Sequence, residues 1–131
     1  MAMTVCLATL VSLLAVHSAF AHAQLTKSSP ADKAKLQVAP DKIEIWFNEL
    51  LDEGFNSIEV FTAAELKAKK HTNLAKGVPV VDPKDRTHVT ISLETLKPGD
   101  YIVDYRVLSR DGHTAPGRIT FQVLEAKPEV K

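Results

Sequence analysis

"LKPGDYIVDYRVLSRDGHTAPGRITFQV", Leu96–Val123, decides the fold of this chain. It contains two alternating runs. Tyr101, Val103, Tyr105 and Val107 occupy every second position of the first, and Ile119, Phe121 and Val123 do the same in the second. Successive side chains of a strand point to opposite sides of the pleat, so period-two apolar residues mark strands buried on one face. Pro98-Gly99 reads as the turn feeding the first run: proline presets φ and glycine supplies the permissive position. "SRDGHTAPG", Ser109–Gly117, separates the two runs.

The same period appears upstream. Ile43, Ile45 and Phe47 alternate with Lys42, Glu44 and Trp46; Ile58 and Val60 alternate with Ser57 and Glu59; Val89, Ile91 and Leu93 alternate with His88, Thr90 and Ser92. Proline and glycine punctuate the intervals. Short strands between turn signals predict an all-β, immunoglobulin-like or Greek-key β-sandwich of about seven strands. "TAAELKAKK" at 62–70 is the only helix-like run, short and charged, and predicts at most a helical turn within a loop. "AKPEVK" at 126–131 reads as a flexible tail.

The N-terminus carries a different signal. Val5–Phe20 is apolar, and no Lys or Arg precedes Lys27. The run is shorter than the ~20 residues of a spanning helix. It is followed by two overlapping A-x-A triplets, Ala19-Phe20-Ala21 and Ala21-His22-Ala23, each a cleavage pattern for a secretory signal. The organisation expected is a signal peptide over 1–21, a domain over 22–125 and the tail over 126–131, with an exported product. Those triplets alone leave the scissile bond open between Ala21 and Ala23.

All 16 Lys+Arg and all 16 Asp+Glu follow the leader, so the remainder is neutral. No basic excess favours nucleic acid, DNA included, or an anionic membrane. Cys6, Met1 and Met3 all lie in the leader. The rest of the chain has no thiol or thioether, which narrows its metal chemistry to nitrogen and oxygen donors.

Four histidines follow the leader: His22, His71, His88 and His113. His71, after "KAKK", and His88, on the polar phase of its strand, read as solvated surface residues. His113 differs. Asp111 and His113 are at i and i+2, which in an extended segment projects both to one side, with Gly112 allowing a bend. A hard oxygen beside an imidazole nitrogen suits Cu(II), Ni(II) or Zn(II). A cut after Ala21 would add His22 as the first residue, with an α-amine and an imidazole that chelate together. Three nitrogens and one oxygen form the tetragonal set preferred by Cu(II). An α-amine with a reference pKa of about 7.7–8.0 gives up its proton to a metal cheaply. Ser109 and Arg106 flank this pair, and either could hydrogen-bond to it. "NELLDEG", Asn48–Gly54, reads as a solvated acidic turn, and Trp46 as half-exposed on the phase opposite Ile45 and Phe47.

These motifs resemble the CopC family of periplasmic copper-resistance proteins. "LTKSSPADKAKL" (Leu25–Leu36) matches the family's opening L-x-x-S-x-P-A, and "APDKIEIWFNELL" (Ala39–Leu51) matches its P-x-x-I-x-L-x-F strand. Leu96–Val123 matches its D-G-H signature, with Tyr105 where the family has tryptophan. The resemblance implies a β-sandwich that binds one Cu(II) through His22, Asp111 and His113. It also implies a CopD-like inner-membrane transporter as recipient. Some members hold Cu(I) in a methionine-rich loop. Without methionine after the leader, a Cu(II)-only protein is expected.

No G-x-S-x-G, H-E-x-x-H or phosphate-loop fingerprint is present, and the expectation is a binding protein rather than an enzyme. Two alternatives stand beside it. One is a histidine-brace oxidative copper enzyme, monooxygenase-like. The other is a metal-free immunoglobulin-like interaction module.

Overall fold

A computed structural model describes residues 23–127. Residues 1–22, which include the expected leader, its expected cleavage site and His22, lie outside the described residues, as do residues 128–131.

Eight strands run in chain order: β1 (Leu25–Ser29), β2 (Ala34–Leu36), β3 (Lys42–Phe47), β4 (Ser57–Thr62), β5 (Ala75–Val81), β6 (His88–Leu93), β7 (Gly99–Leu108) and β8 (Thr114–Val123). They form two four-stranded sheets, ordered β1-β3-β6-β5 and β2-β8-β7-β4. Every strand pair is antiparallel except β2 with β8. This is the expected immunoglobulin-like sandwich. The three strands not read from the alternation are β1, β2 and β5. A single 3-10 turn, Ala63–Glu65, is all that forms in the helix-like run.

The alternating residues face one another across the sandwich. Ile43, Ile45 and Phe47 of β3 and Val89, Ile91 and Leu93 of β6 pack on Val103 and Val107 of β7 and on Ile119, Phe121 and Val123 of β8. Each large apolar side chain so buried contributes about 1.5–3 kcal/mol, against about 0–1 for an exposed ion pair. The core therefore fixes the register, and the charged faces follow. Tyr105 of β7 meets Phe47 of the opposite sheet edge-on, with ring centroids 5.5 Å apart.

The outer face of the second sheet also buries apolar groups. Phe61 and Ile102 are paired neighbours on β4 and β7, and both are buried. The loop between β4 and β5 folds back over Phe61. Asn73 fastens this loop: its Oδ1 accepts from the Val60 and Ala75 amides, at 3.1 and 3.0 Å, and so ties β4 to β5.

Three segments meet at one end of the sandwich. Leu51 bridges to Ser109, the Asp52 amide donates to Leu108 O, and the Arg110 amide donates to Leu50 O. The Leu51 amide donates to Arg86 O and the Phe47 amide to Thr87 O. The chain leaving β3, the approach to β6 and the β7–β8 turn are thereby locked together.

Candidate metal centre

The β7–β8 turn is built around Ser109, a polar side chain only 1% exposed. Its amide donates to His113 O at 2.9 Å, and the Gly112 amide donates back to Ser109 O at 3.0 Å. Gly112 has φ 91°, a left-handed conformation that glycine adopts without the penalty a Cβ brings. The chain thus reverses tightly just after the bridge to Leu51.

Asp111 and His113 come together within this reversal. The segment is a turn, not the extended stretch expected, and the convergence has a different cause. Asp111 Oδ1 accepts from the Ser109 hydroxyl and from the His113 amide, the latter at 3.0 Å. Asp111 Oδ2 lies 3.1 Å from His113 Nδ1. The Ser109 hydroxyl also lies 3.2 Å from His113 O. Of the two flanking candidates, Ser109 is therefore the one that touches the pair. Arg106 lines another cleft, with Asp104, Tyr105 and Arg118.

These donors hold the Asp111 carboxyl down to about 2. The Ser109 hydroxyl is the largest cause, followed by the His113 amide and then the imidazole. Hydrogen bonds to the charged form favour that form. Asp111 is a carboxylate at any pH near neutrality, ready to meet a cation without losing a proton. Neighbouring donors on an ion with bonds of about 2 Å stand about 3 Å apart. The 3.1 Å between Oδ2 and Nδ1 matches that spacing. Both side chains are substantially exposed, at 40% and 61%, so an ion reaches them from solvent.

A shallow cleft runs from Asp111 along Arg110, Leu50, Glu49 and Asn48 to Thr87. Glu49, read as part of a solvated turn, is half-buried and lines this cleft. The start of the described chain is docked at its rim. Ala23 is buried in the core, and Gln24 is bonded to Asn48 in both directions, N–H to Oδ1 at 2.7 Å and O to the Asn48 amide at 3.0 Å. Among the described residues, no three or more His, Cys, Asp and Glu side chains gather as a metal-holding group. The third expected donor, His22, falls outside them.

The other two histidines are not the solvated residues expected. His88 does lie on the polar phase of β6, but its side chain is only 13% exposed. It stacks on Trp46 with centroids 4.2 Å apart, and its nitrogens lie 3.3 Å from Glu44 and 3.5 Å from Asp82. The cross-strand pairing of Trp46 with His88 covers it. His71 stacks on Phe61 with ring centroids 3.9 Å apart and lies 3.3 Å from Glu59, covering the outer face of Phe61. Each ring is consumed by packing, far in sequence from Asp111.

Asn48 and Glu49 were missed as members of this end of the molecule. No local pattern marks them, because their role arises from the docking of Gln24 and of the β7–β8 turn against the chain leaving β3.

Comparison with known proteins agrees with this architecture. The CopC domain model matches residues 25–124. Protein YobA of Escherichia coli K12 is 35% identical over 118 residues, covering 89% of this chain and 90% of that protein. Copper resistance protein C of Escherichia coli is 37% identical over 110 residues, covering 81% of this chain and 84% of that one. The crystal structure of CopC from Methylosinus trichosporium OB3b superposes with a TM-score of 0.68 at 24% identity, over 83% of this chain and 100% of that one, a likeness of fold. With its matched span running from the first strand through the last, this chain belongs to the CopC domain family.

Proposed function

We propose that this chain, once residues 1–21 are removed, is a periplasmic Cu(II)-binding protein that buffers copper or delivers it. The domain is 22–125, and 126–131 is its tail. One Cu(II) is held by the α-amine and imidazole of His22, by Asp111 and by His113. The observation that carries this reading is the Asp111–His113 pair, 3.1 Å apart and fixed by Ser109, at the end of the sandwich where Gln24 is docked. A cut after Ala21 leaves His22 two residues before that docked position; a cut after Ala23 discards it. Family membership supports copper as the ion, since a relative at 37% identity is named copper resistance protein C.

The chemistry is chelation with proton release. Asp111 is already ionised, so the α-amine is the donor that gives up a proton near neutral pH. With no thiol or thioether after residue 21, soft Cu(I) binds poorly and the site is selective for Cu(II). Asp111 fills a coordination place that oxygen chemistry would need open, which favours a binder over an oxidative enzyme. A CopD-like inner-membrane transporter is the recipient in this reading.

The test is calorimetric titration of the secreted protein with Cu(II), with its first residue read by intact mass. His22→Ala keeps an α-amine but loses the imidazole. Weaker binding by one to several orders of magnitude is expected, and unchanged affinity overturns the His22 assignment. Rapid turnover of the loaded protein with ascorbate and peroxide would instead favour the oxidative enzyme.

A further inference from the structure

Asn48 touches Gln24 twice, and the two contacts differ in what they require. The bond from the Asn48 amide to Gln24 O, at 3.0 Å, is a backbone bond that almost any residue makes. The bond from the Gln24 amide to Asn48 Oδ1, at 2.7 Å, needs a side chain with an acceptor at this reach. Asn48 directly follows β3 and lines the same cleft as Asp111. Ala23, one residue before Gln24, is buried in the core. Two residues of chain span at most about 7 Å. The place where Gln24 is held therefore limits where donors on His22 can stand.

We propose that Asn48 is a positioning residue for copper capture, its carboxamide holding Gln24 in place before the ion arrives. The proposal rests on the His22 reading above. Asn48 need not touch copper. It acts by preorganisation: groups already held in the bound geometry lose less freedom on binding. Without the carboxamide the Gln24 amide turns to water, Gln24 keeps only its backbone bond to Asn48, and part of its ordering falls to the ion. Fixing the backbone of one residue corresponds to about tenfold in a binding constant. Asn48 is exposed and outside the core, so its replacement leaves the sandwich intact.

The experiment compares Asn48→Ala, Asn48→Asp and His22→Ala with the parent, all in the secreted form. Two quantities are read: hydrogen exchange at the Gln24 amide without copper, and Cu(II) affinity with the EPR spectrum of the bound ion. Asn48→Ala is expected to speed Gln24 exchange and weaken affinity about tenfold, with nitrogen hyperfine structure unchanged because the donors are the same. Asn48→Asp keeps the acceptor and is expected to retain slow exchange and at least parent affinity. Three outcomes overturn the proposal while leaving His22 as a ligand: Asn48→Ala binding as the parent does while His22→Ala is weakened, Asn48→Ala keeping slow Gln24 exchange, or Asn48→Asp failing to rescue. If His22→Ala and Asn48→Ala both bind as the parent does, the His22 reading falls and the positioning role falls with it.

Discussion

Ser109 is where a buried hydroxyl meets an exposed carboxylate, and that contact favours the charged form of Asp111. The carboxyl sits at about 2 in the folded protein, against about 3.9 for an unperturbed aspartate. A depressed folded value contributes stability above the unfolded value, and that contribution is lost as pH falls through the folded one. For Asp111 the window is from about pH 4 down to about pH 2. In copper-free protein, the carboxyl carbon-13 shift of Asp111 is expected to titrate near pH 2, and Ser109→Ala to move the midpoint up towards the ordinary range. An unmoved midpoint would remove the hydroxyl as the main cause. The i and i+2 spacing of Asp111 and His113 suggested that the two converge, and the family resemblance singled them out as candidate ligands. The mechanism of their approach was not legible, because it depends on Ser109 being buried by the bridge to Leu51. His71 and His88 misread for a related reason. Their covers, Phe61 and Trp46, come from other strands.

The β7–β8 hairpin shows how an element carries a site at its tip. Tyr105 and Gly117 are cross-strand partners, and the tyrosine ring lies over the glycine so closely that a Cβ there would overlap it. The same ring touches Phe47 across the sandwich, so the contact braces hairpin and sheet together. Gly117→Ala is expected to cost about 1–3 kcal/mol in urea unfolding by overpacking. Combined with Tyr105→Ala, the loss should be smaller than the sum of the two single losses, because the clash has gone. Strict additivity would count against the overlap. Long, uniformly alternating elements such as β7 and β8 are readable from sequence. β2 has three residues, too few for a period, and pairs only with β8. β5 contains Gly77 and Pro79, breaks register between Lys76 and Val80, and lies at a sheet edge, where such residues are tolerated.

At the scale of the molecule, the proposed copper site joins the chain start to the last hairpin, so binding and folding are linked. A ligand that binds only the folded state stabilises it by about 2.7 kcal/mol at a hundred times its Kd. The melting temperature of protein beginning at His22 is therefore expected to climb with free Cu(II). Protein made with a residue ahead of His22 should gain less, since its α-amine is then a peptide nitrogen; equal gains would argue against the amine as donor. Trp46 adds a practical property. It is the chain's only tryptophan, with the Lys27 ammonium 4.3 Å above its ring and His88 stacked on it. Thr87, next to His88, forms part of the cleft wall beside Asp111. All indole emission thus arises from one spot adjoining that wall, and events at this end of the molecule can be followed by light without attaching a dye.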